Sequence, residues 1–290
     1  MNSSFSVNNA WITGHSGFIG TSLIEDLKNK FNIFKISRNE IIEKNFYFSE
    51  NEKLNKINKN LLDNFQNNFL FHLATYYKNN VNLASEAEKM IYSNLLFGIK
   101  LIHKFGLEFF SKILLTQSYI ELNNNNIFNL YSQTKSIFAK DVQTMLPDKT
   151  LIVYIFDTFG FNDKRNKLVK IWLSKLLKND PVEIYNEKTS INLSTNKFVS
   201  KIISKIKLID PGVYELRSDV ELTLSELFDL LREITNSRSE KIIDDNKKVE
   251  IPRHYENLSD ILDIKYTINN FKADIIELIN NITKEEFLKK

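Results

Sequence analysis

The chain has seven glycines in 290 residues, and three of them fall in one heptad, Gly14-His15-Ser16-Gly17-Phe18-Ile19-Gly20, directly after the apolar stretch Ala10-Trp11-Ile12-Thr13. Average usage would give about 20 glycines in a chain of this length. A sequence so poor in glycine keeps them where geometry leaves no substitute. The pattern reads as a strand, a tight turn and a helix N-terminus. The first glycine allows the turn, the second admits a pyrophosphate to the backbone amides of Ser16, Phe18 and Ile19, and the third packs helix against strand. The spacing is G-x-x-G-x-x-G rather than G-x-G-x-x-G, so context has to support it. It does: Ile19, Leu23, Ile24 and Leu27 recur at helical spacing, and Phe31 to Ser37 reads as a second strand. The chain therefore begins with a βαβ unit suited to a dinucleotide.

Apolar residues make up 42% of the chain, ample for one large or two smaller domains. The absence of cysteine excludes disulfides and fits a reducing compartment. Met1 to Val7 has neither a basic nor an apolar leader region, and no apolar run reaches membrane-spanning length, so a soluble cytoplasmic protein is expected. A net charge of +3, scattered along the chain, argues against nucleic acid as a partner. Four dispersed histidines and no cysteine make a metal site improbable, and His72 reads as a buried core residue. The run Asn123 to Asn126 reads as a polar loop.

Asn45 to Ser49 is a candidate third strand, followed by a helical stretch with Leu54, Ile57, Leu61 and Leu62. Phe69 to Ala74 is a continuous apolar run, as in a strand buried on both faces of a parallel sheet. A helix from about Ser85 to Phe105, a strand at Lys112 to Thr116, a helix at Ile127 to Met145 and a strand at Leu151 to Phe156 follow. This alternation implies right-handed crossovers and an α/β, doubly wound parallel sheet. Ligands of such sheets lie beyond the carboxyl ends of the strands. Chemistry is therefore expected just after Thr13, Ser37, Ala74, Thr116 and Phe156.

Beyond Gly160 the pattern loosens into helices at Leu168 to Leu177, Phe198 to Ile209 and Ile275 to Ile282, and strands at Pro181 to Tyr185 and Gly212 to Leu216. A further helix ends near Ile234, with Ser225 as its expected N-cap. Residues 1–162, with 192–212 returning, are expected to form the dinucleotide-binding domain, and 163–290 mainly a smaller α/β substrate lobe.

Tyr131-Ser-Gln-Thr-Lys135 lies inside an expected helix, where a spacing of four puts tyrosine and lysine on one face. An ammonium there lowers the pKa of the phenol and can reach a cofactor ribose. Such a phenol exchanges a proton with a sugar hydroxyl during hydride transfer. Ser118, just past the preceding strand, can hydrogen-bond the same reacting oxygen, with Thr116 as an alternative. Arg38 lies 24 residues after Gly14, just past the second strand. An acidic residue there would bind the ribose of NAD, whereas an arginine accommodates the 2′-phosphate of NADP; Ser37 adds a hydroxyl contact.

Six islands in order, Thr13 to Gly20, Phe71 to Thr75, Asn94 to Gly98, Thr116 to Ser118, Tyr131 to Lys135 and Phe156 to Gly160, resemble the extended short-chain dehydrogenase/reductase family acting on nucleotide sugars. The resemblance implies a Rossmann fold, a Ser118, Tyr131 and Lys135 triad, and cofactor contacts that include Leu73, Ala74 and Asn94. It implies a homodimer. Dehydratases of the family carry Asp-Glu after the catalytic threonine, where this chain has Tyr119-Ile120. The stretch Phe156 to Leu168, with Asn129 to Lys135 before it, looks most like the CDP-abequose and CDP-paratose synthases, NADPH-dependent 4-reductases that serve surface polysaccharide (O-antigen, lipopolysaccharide) synthesis.

The analogy maps Thr75, Asp157, Lys167, Leu168, Val182, Tyr185 and Arg253 to the nucleotide-sugar side, with Lys167 and Leu168 near the diphosphate, Val182 to Tyr185 walling the base, and Arg253 as a phosphate clamp. Ser118 and Tyr131 are only 13 residues apart, so the loop between them is short. Asp157 replaces a frequent asparagine, Thr75 a common alanine, and Asn196-Lys197 a frequent acidic pair. The expected activity is NADPH-dependent reduction of the 4-keto group of a nucleotide-linked deoxyhexose. The alternatives are a nucleotide-sugar 4-epimerase with tightly held NAD, and a non-catalytic NADP-binding sensor or scaffold.

Overall fold

The computed structural model describes residues 8–37, 45–47, 67–78, 81–122, 129–244 and 251–287. The chain divides into two compact units, Met1–Ile155 with Ser200–Glu215, and Phe156–Val199 with Leu216–Lys290. Where the sequence reading divides the chain at 162/163 and returns 192–212, the contacts divide it at 155/156 and return 200–215.

In the first unit, β1 (Asn9–Thr13), α1 (Phe18–Leu27) and β2 (Asn32–Ser37) follow the glycine pattern. Then come β3 (Asn45–Tyr47), β4 (Asn68–His72), α2 (Ala84–Ile91), a π-helical turn (Tyr92–Leu96), α3 (Phe97–Phe105), β5 (Lys112–Ser118), α4 (Leu130–Met145) and β6 (Thr150–Ile155). The strand β10 (Gly212–Leu216) returns to the same sheet, β7 to β9 lying in the second unit. The sheet order is β10-β6-β5-β4-β1-β2-β3, with parallel pairing from β6 through to β3. The crossover from β3 to β4 returns the chain to the other side of β1, the reversal that opens a ligand crevice at the strand ends. The expected α/β doubly wound sheet is the fold observed.

The core of this unit is aromatic. The Trp11 indole stacks on Phe34 at 4.4 Å and meets Phe109 edge-on at 5.2 Å. Its Nε1–H donates to Asn68 Oδ1 at 3.0 Å, so the buried donor is satisfied. Every residue of β4 is buried, as its unbroken apolar run requires.

The helix expected from Ser85 to Phe105 is present but is interrupted by the π-helical turn. One extra residue in the turn brings Ser93 and Asn94 to the buried side. The helical stretch around Leu54 to Leu62 and the loop 123–126 lie outside the described residues.

The second unit holds β7 (Asp157–Phe159), α5 (Leu168–Leu176), β8 (Val182–Ile184), β9 (Ser190–Thr195), β11 (Glu221–Thr223), α7 (Leu224–Thr235), β12 (Lys241–Ile243), α8 (Leu258–Ile261) and α9 (Ile268–Phe287). A helix α6 (Asn196–Ile203) spans the boundary between the units. β9 pairs in parallel with β7 and antiparallel with β11, while β8 and β12 form a separate parallel pair. The N-cap of α7 is Thr223 rather than Ser225: Thr223 Oγ1 accepts from the Glu226 amide at 3.2 Å and the Glu226 carboxylate accepts from the Thr223 amide at 2.8 Å. The reciprocal pair needs a Glu three residues on, which Thr223 has and Ser225 lacks. Ser225 instead accepts a hydrogen bond from Lys241. No described helix is long and apolar enough to cross a membrane.

Candidate functional site

The glycine turn is built by close backbone approach. Gly14 has φ +66°, and a Cβ on it would stand 2.6 Å from the Leu73 carbonyl carbon and 2.7 Å from the Ala74 nitrogen. A Cβ on Gly20 would lie 2.2 Å from the Gly14 carbonyl oxygen. Thr13 ties the two strand ends together, its Oγ1 accepting from the amides of Leu73 and Ala74 at 3.1 Å each. With both lone pairs so engaged, the Thr13 hydroxyl proton points to His72 Nδ1, 3.1 Å away. Gly17 caps α1 with no side-chain hydrogen bond, which leaves the first turn of the helix to present backbone amides. Ser16 is exposed beside it and Phe18 and Ile19 are half-buried. A cradle that no Cβ could enter, at a helix N-terminus beyond a parallel strand, fits the pyrophosphate of a dinucleotide. Ser37 ends β2. Arg38, the residue on which the NADP expectation rests, lies outside the described residues.

The proton-transfer candidates come from β5 and α4. Asn129 caps α4 by accepting from the Ser132 amide at 2.9 Å, which fixes where the helix starts and therefore which face Tyr131 and Lys135 share. Lys135 Nζ lies 5.9 Å from the centre of the Tyr131 ring. Lys135 is buried, and burial pulls its pKa below the ordinary lysine value, opposed by the charge of Glu121. Tyr77 meets the Tyr131 ring edge-on at 5.0 Å. Ser118 is the last residue of β5, and its main-chain N–H donates to Glu121 Oε1 at 2.9 Å. Thr116 faces β4, its Oγ1 3.5 Å from the His72 carbonyl oxygen. His72 is buried, as expected, and burial followed by the nearby Lys135 charge pushes its pKa down to about 3. It stays neutral at physiological pH.

Asn94 holds the loop that follows β4. Its Oδ1 accepts from Thr75 Oγ1 at 3.2 Å and the Tyr76 amide at 2.7 Å, and its Nδ2 donates to the Tyr76 carbonyl at 3.0 Å and Thr134 Oγ1 at 3.4 Å. An amide has two donor hydrogens and two acceptor lone pairs, and all are engaged. Asn94 thereby holds the Thr75-Tyr76 loop against α4. Gly98 allows the same approach one turn later, since a Cβ there would meet the Phe138 ring at 2.3 Å.

The remaining expected residues lie in the second unit. Asp157 begins β7, Lys167 caps α5 and Leu168 begins it. Lys167 borders a cleft of about 210 Å³ shared with Asn162, Asp163, Lys164, Lys170 and Asn281. Val182 is fully buried in its strand pair and Tyr185 is 52% exposed, so of the two only Tyr185 offers a surface. Arg253 is exposed and its guanidinium is paired with Glu221 at 2.7 Å. Among the described residues no cluster of His, Cys, Asp or Glu could hold a metal ion.

Sequence reasoning missed Glu121. Its carboxylate accepts from the Ser118 amide and from Ser136 Oγ at 3.0 Å, joining the end of β5 to α4. A signal was present, because Glu121 is the only acidic residue between Glu108 and Asp141.

No family model matches the sequence, and no curated protein matches it. Solved structures do. A UDP-N-acetylglucosamine 4-epimerase from Methanobrevibacter ruminantium M1, in complex with UDP-N-acetylmuramic acid, superposes with a TM-score of 0.70 at 17% identity over 97% of this chain and 99% of that one. The UDP-glucose 4-epimerase of Thermotoga maritima, with UDP-glucose, gives 0.70 at 15% identity over 96% and 99%. A UDP-glucuronic acid 4-epimerase from Bacillus cereus, with UDP-glucuronic acid and NAD, gives 0.71 at 12% identity over 94% and 99%. The chain has their fold. The match runs the length of both partners in each case, so both units take part in it.

Proposed function

We propose that the protein is a nicotinamide-dinucleotide-dependent enzyme acting at C4 of a nucleotide-linked hexose, and that its reaction is 4-epimerisation. The observation that carries this reading is the Tyr131-Lys135 pair on α4, with the ammonium buried beside the phenol ring and Glu121 linking that helix to Ser118. Three fold relatives that are 4-epimerases, two of them bound to the UDP-sugar named for their activity, support epimerisation over the net 4-keto reduction expected from the sequence.

The dinucleotide would be held by Gly14, Ser16, Gly17, Phe18, Ile19 and Gly20 at the pyrophosphate, by Leu73 and Ala74 at the neighbouring strand end, and by Lys135 at a ribose. When bound it supplies the hydride acceptor and donor. Tyr131 carries the proton at the sugar 4-oxygen: its phenolate accepts the proton as the hydroxyl is oxidised, and the phenol so formed returns it as the ketone is reduced. Ser118 positions that oxygen by a hydrogen bond, and Thr116 stands behind it on the same strand. Lys135 stabilises the phenolate form of Tyr131 by its charge. Lys167 and the adjoining lysines of the second unit serve the diphosphate.

Arg38, directly after β2 in sequence, favours a second reading: NADP(H) and net reduction of a 4-keto sugar, as in the CDP-abequose type. The two separate in one experiment. Purified protein is extracted for retained dinucleotide and incubated with UDP-hexoses while ¹H NMR follows the sugar H4. Retained NAD and conversion to the C4 epimer without added cofactor support epimerisation. Consumption of NADPH with a 4-keto sugar and no epimer formation supports reduction. Dinucleotide binding without turnover of either substrate class overturns both.

A further inference from the structure

The segment that leaves β4 is held on both sides of Tyr77. Before it, Asn94 accepts from Thr75 Oγ1 at 3.2 Å and from the Tyr76 amide at 2.7 Å, and donates to the Tyr76 carbonyl at 3.0 Å. After it, Lys78 pairs with Glu86 in the first turn of α2, and Glu86 also accepts from the Asn82 amide at 3.3 Å. The backbone that carries Tyr77 is therefore tied to the helices at two points.

Asn94 serves α4 as well. Its Nδ2 donates to Thr134 Oγ1 at 3.4 Å, and that hydroxyl lies 2.8 Å from the Leu130 carbonyl oxygen and 3.0 Å from the Tyr131 carbonyl oxygen. One side chain thus sets the distance between the Tyr77 segment and the helical turn that carries Tyr131. The π-helical turn Tyr92–Leu96 brings Asn94 to that position, and interruptions of this kind are frequent at functional sites.

The two tyrosine rings meet across this junction. Their centroids are 5.0 Å apart and their planes stand at 88°, the T-shaped geometry in which the positive edge of one ring faces the negative face of the other. Helix α4 fixes the Tyr131 backbone, but the side-chain torsions of a half-buried tyrosine are set by what its ring touches. Tyr77 is that contact on the side of β4, and Lys135 Nζ lies 5.9 Å from the same ring centre. Tyr77 is itself 39% exposed, so its ring is not held against Tyr131 as part of the apolar core, and shortening it opens no core cavity.

We propose that Tyr77 is a positioning residue of the proton-transfer site: its ring holds the Tyr131 side chain in the orientation from which the phenol oxygen meets the sugar 4-oxygen. This rests on the reading of Tyr131 as the residue that carries that proton. The ring is what the role needs, and the Tyr77 hydroxyl takes no part in it.

The experiment is a double-mutant cycle between the two tyrosines in the full-length protein, read in kcat with the UDP-hexose that the wild type turns over. Tyr77→Ala and Tyr77→Leu are expected to lower kcat by roughly 10- to 100-fold, the cost of a catalytic group displaced by about 1 Å, at an unchanged dinucleotide Kd. Leucine keeps apolar bulk without a ring and keeps the test open should the alanine variant not fold. Tyr77→Phe is expected to rescue kcat to within about threefold of wild type, because the ring-on-ring contact remains. In a Tyr131→Phe background, Y77L is expected to cost less than about twofold further, since its effect acts through a phenol that is already gone. Equal fold losses in the two backgrounds, or no rescue by Y77F, overturns the proposal.

A second cycle needs no substrate. Urea unfolding of Y77L, Y131L and the double variant is expected to show a coupling of about 2- to 13-fold in the unfolding equilibrium constant, the worth of a T-shaped pair. Additive effects overturn the ring contact and the proposal with it. If no hexose is turned over, the reading of Tyr131 fails, and the unfolding cycle by itself still decides whether Tyr77 holds that ring.

Discussion

Replacing Gly20 by alanine tests the dinucleotide cradle where its geometry is tightest. The new Cβ would stand 2.2 Å from the Gly14 carbonyl oxygen, 2.8 Å from His15 Cα and 2.9 Å from the His15 carbonyl carbon. All three are backbone atoms, so no side-chain rotation relieves the clash. Ordinary contact needs about 3.5 Å, so α1 and the turn must separate by roughly 1 Å, and an overpacked site of this kind costs about 1–3 kcal/mol. For a unit of this size that is a fall in Tm of roughly 3–10 °C. The same displacement carries the first-turn amides away from the pyrophosphate. Loss of one hydrogen bond to a charged group, about 1.5–3 kcal/mol, weakens dinucleotide binding by roughly 10- to 100-fold. Calorimetric titration of NAD and NADP into wild type and G20A measures the binding change directly. Gly106→Ala is the control. Gly106 has φ +91° and no atom within 4 Å of its would-be Cβ. It should lose about 1–3 kcal/mol through backbone strain alone, with an unchanged Kd. Wild-type dinucleotide affinity in G20A would refute the cradle; equal losses of affinity in both variants would mean that the effect is general destabilisation.

Asn94→Ala removes four hydrogen bonds that hold the Thr75-Tyr76 loop to α4. It should lower Tm by an amount equivalent to about 1–3 kcal/mol and raise the KM for the sugar more than the Kd for the dinucleotide, as thermal melts and initial rates would read. His72 makes stability fall in acid. Its folded-state pKa of about 3 lies below the ordinary 6.5, so between these values the unfolded chain takes up a proton that the folded one refuses. The contribution of neutral His72 is present above pH 6.5 and is lost at about 1.4 kcal/mol per unit as pH falls toward 3. Urea unfolding of His72→Leu should show a flatter dependence over that window, whatever its absolute stability.

Much of this organisation was legible because it depends on short-range rules. The glycine turn declares itself through positions that admit no Cβ, and β1, β4 and β5 through apolar runs that only two-sided burial explains. Tyr131 and Lys135 follow from helical spacing. What stayed hidden depends on longer-range pairing. The strands β7, β11 and β12 have three residues each, too few for an alternation to register, and β9 is recognised only by its partners on either side. The π-helical turn at Tyr92–Leu96 sits in a sequence with ordinary three-to-four spacing, so Asn94 reads as a residue on a continuous helix rather than as the anchor of a loop. Glu121 reads as a polar loop residue until the fold brings Ser118 and Ser136 to its carboxylate. The readings of cofactor preference from Arg38 and of the sugar from residues such as Lys167 and Arg253 come from the resemblance and from single positions, and neither follows from periodicity.

The central claim is that Tyr131 carries the proton at the sugar 4-oxygen, and the most direct test is Tyr131→Phe assayed for turnover and dinucleotide binding together. The substitution removes one oxygen and leaves the ring that meets Tyr77 edge-on. With the UDP-hexose turned over by the wild type, kcat is expected to fall by about 10²- to 10⁴-fold, the usual contribution of a positioned acid-base group, while the dinucleotide Kd and Tm stay at wild-type values. A kcat within about threefold of wild type, at unchanged Kd, would contradict the account by removing Tyr131 from the reaction.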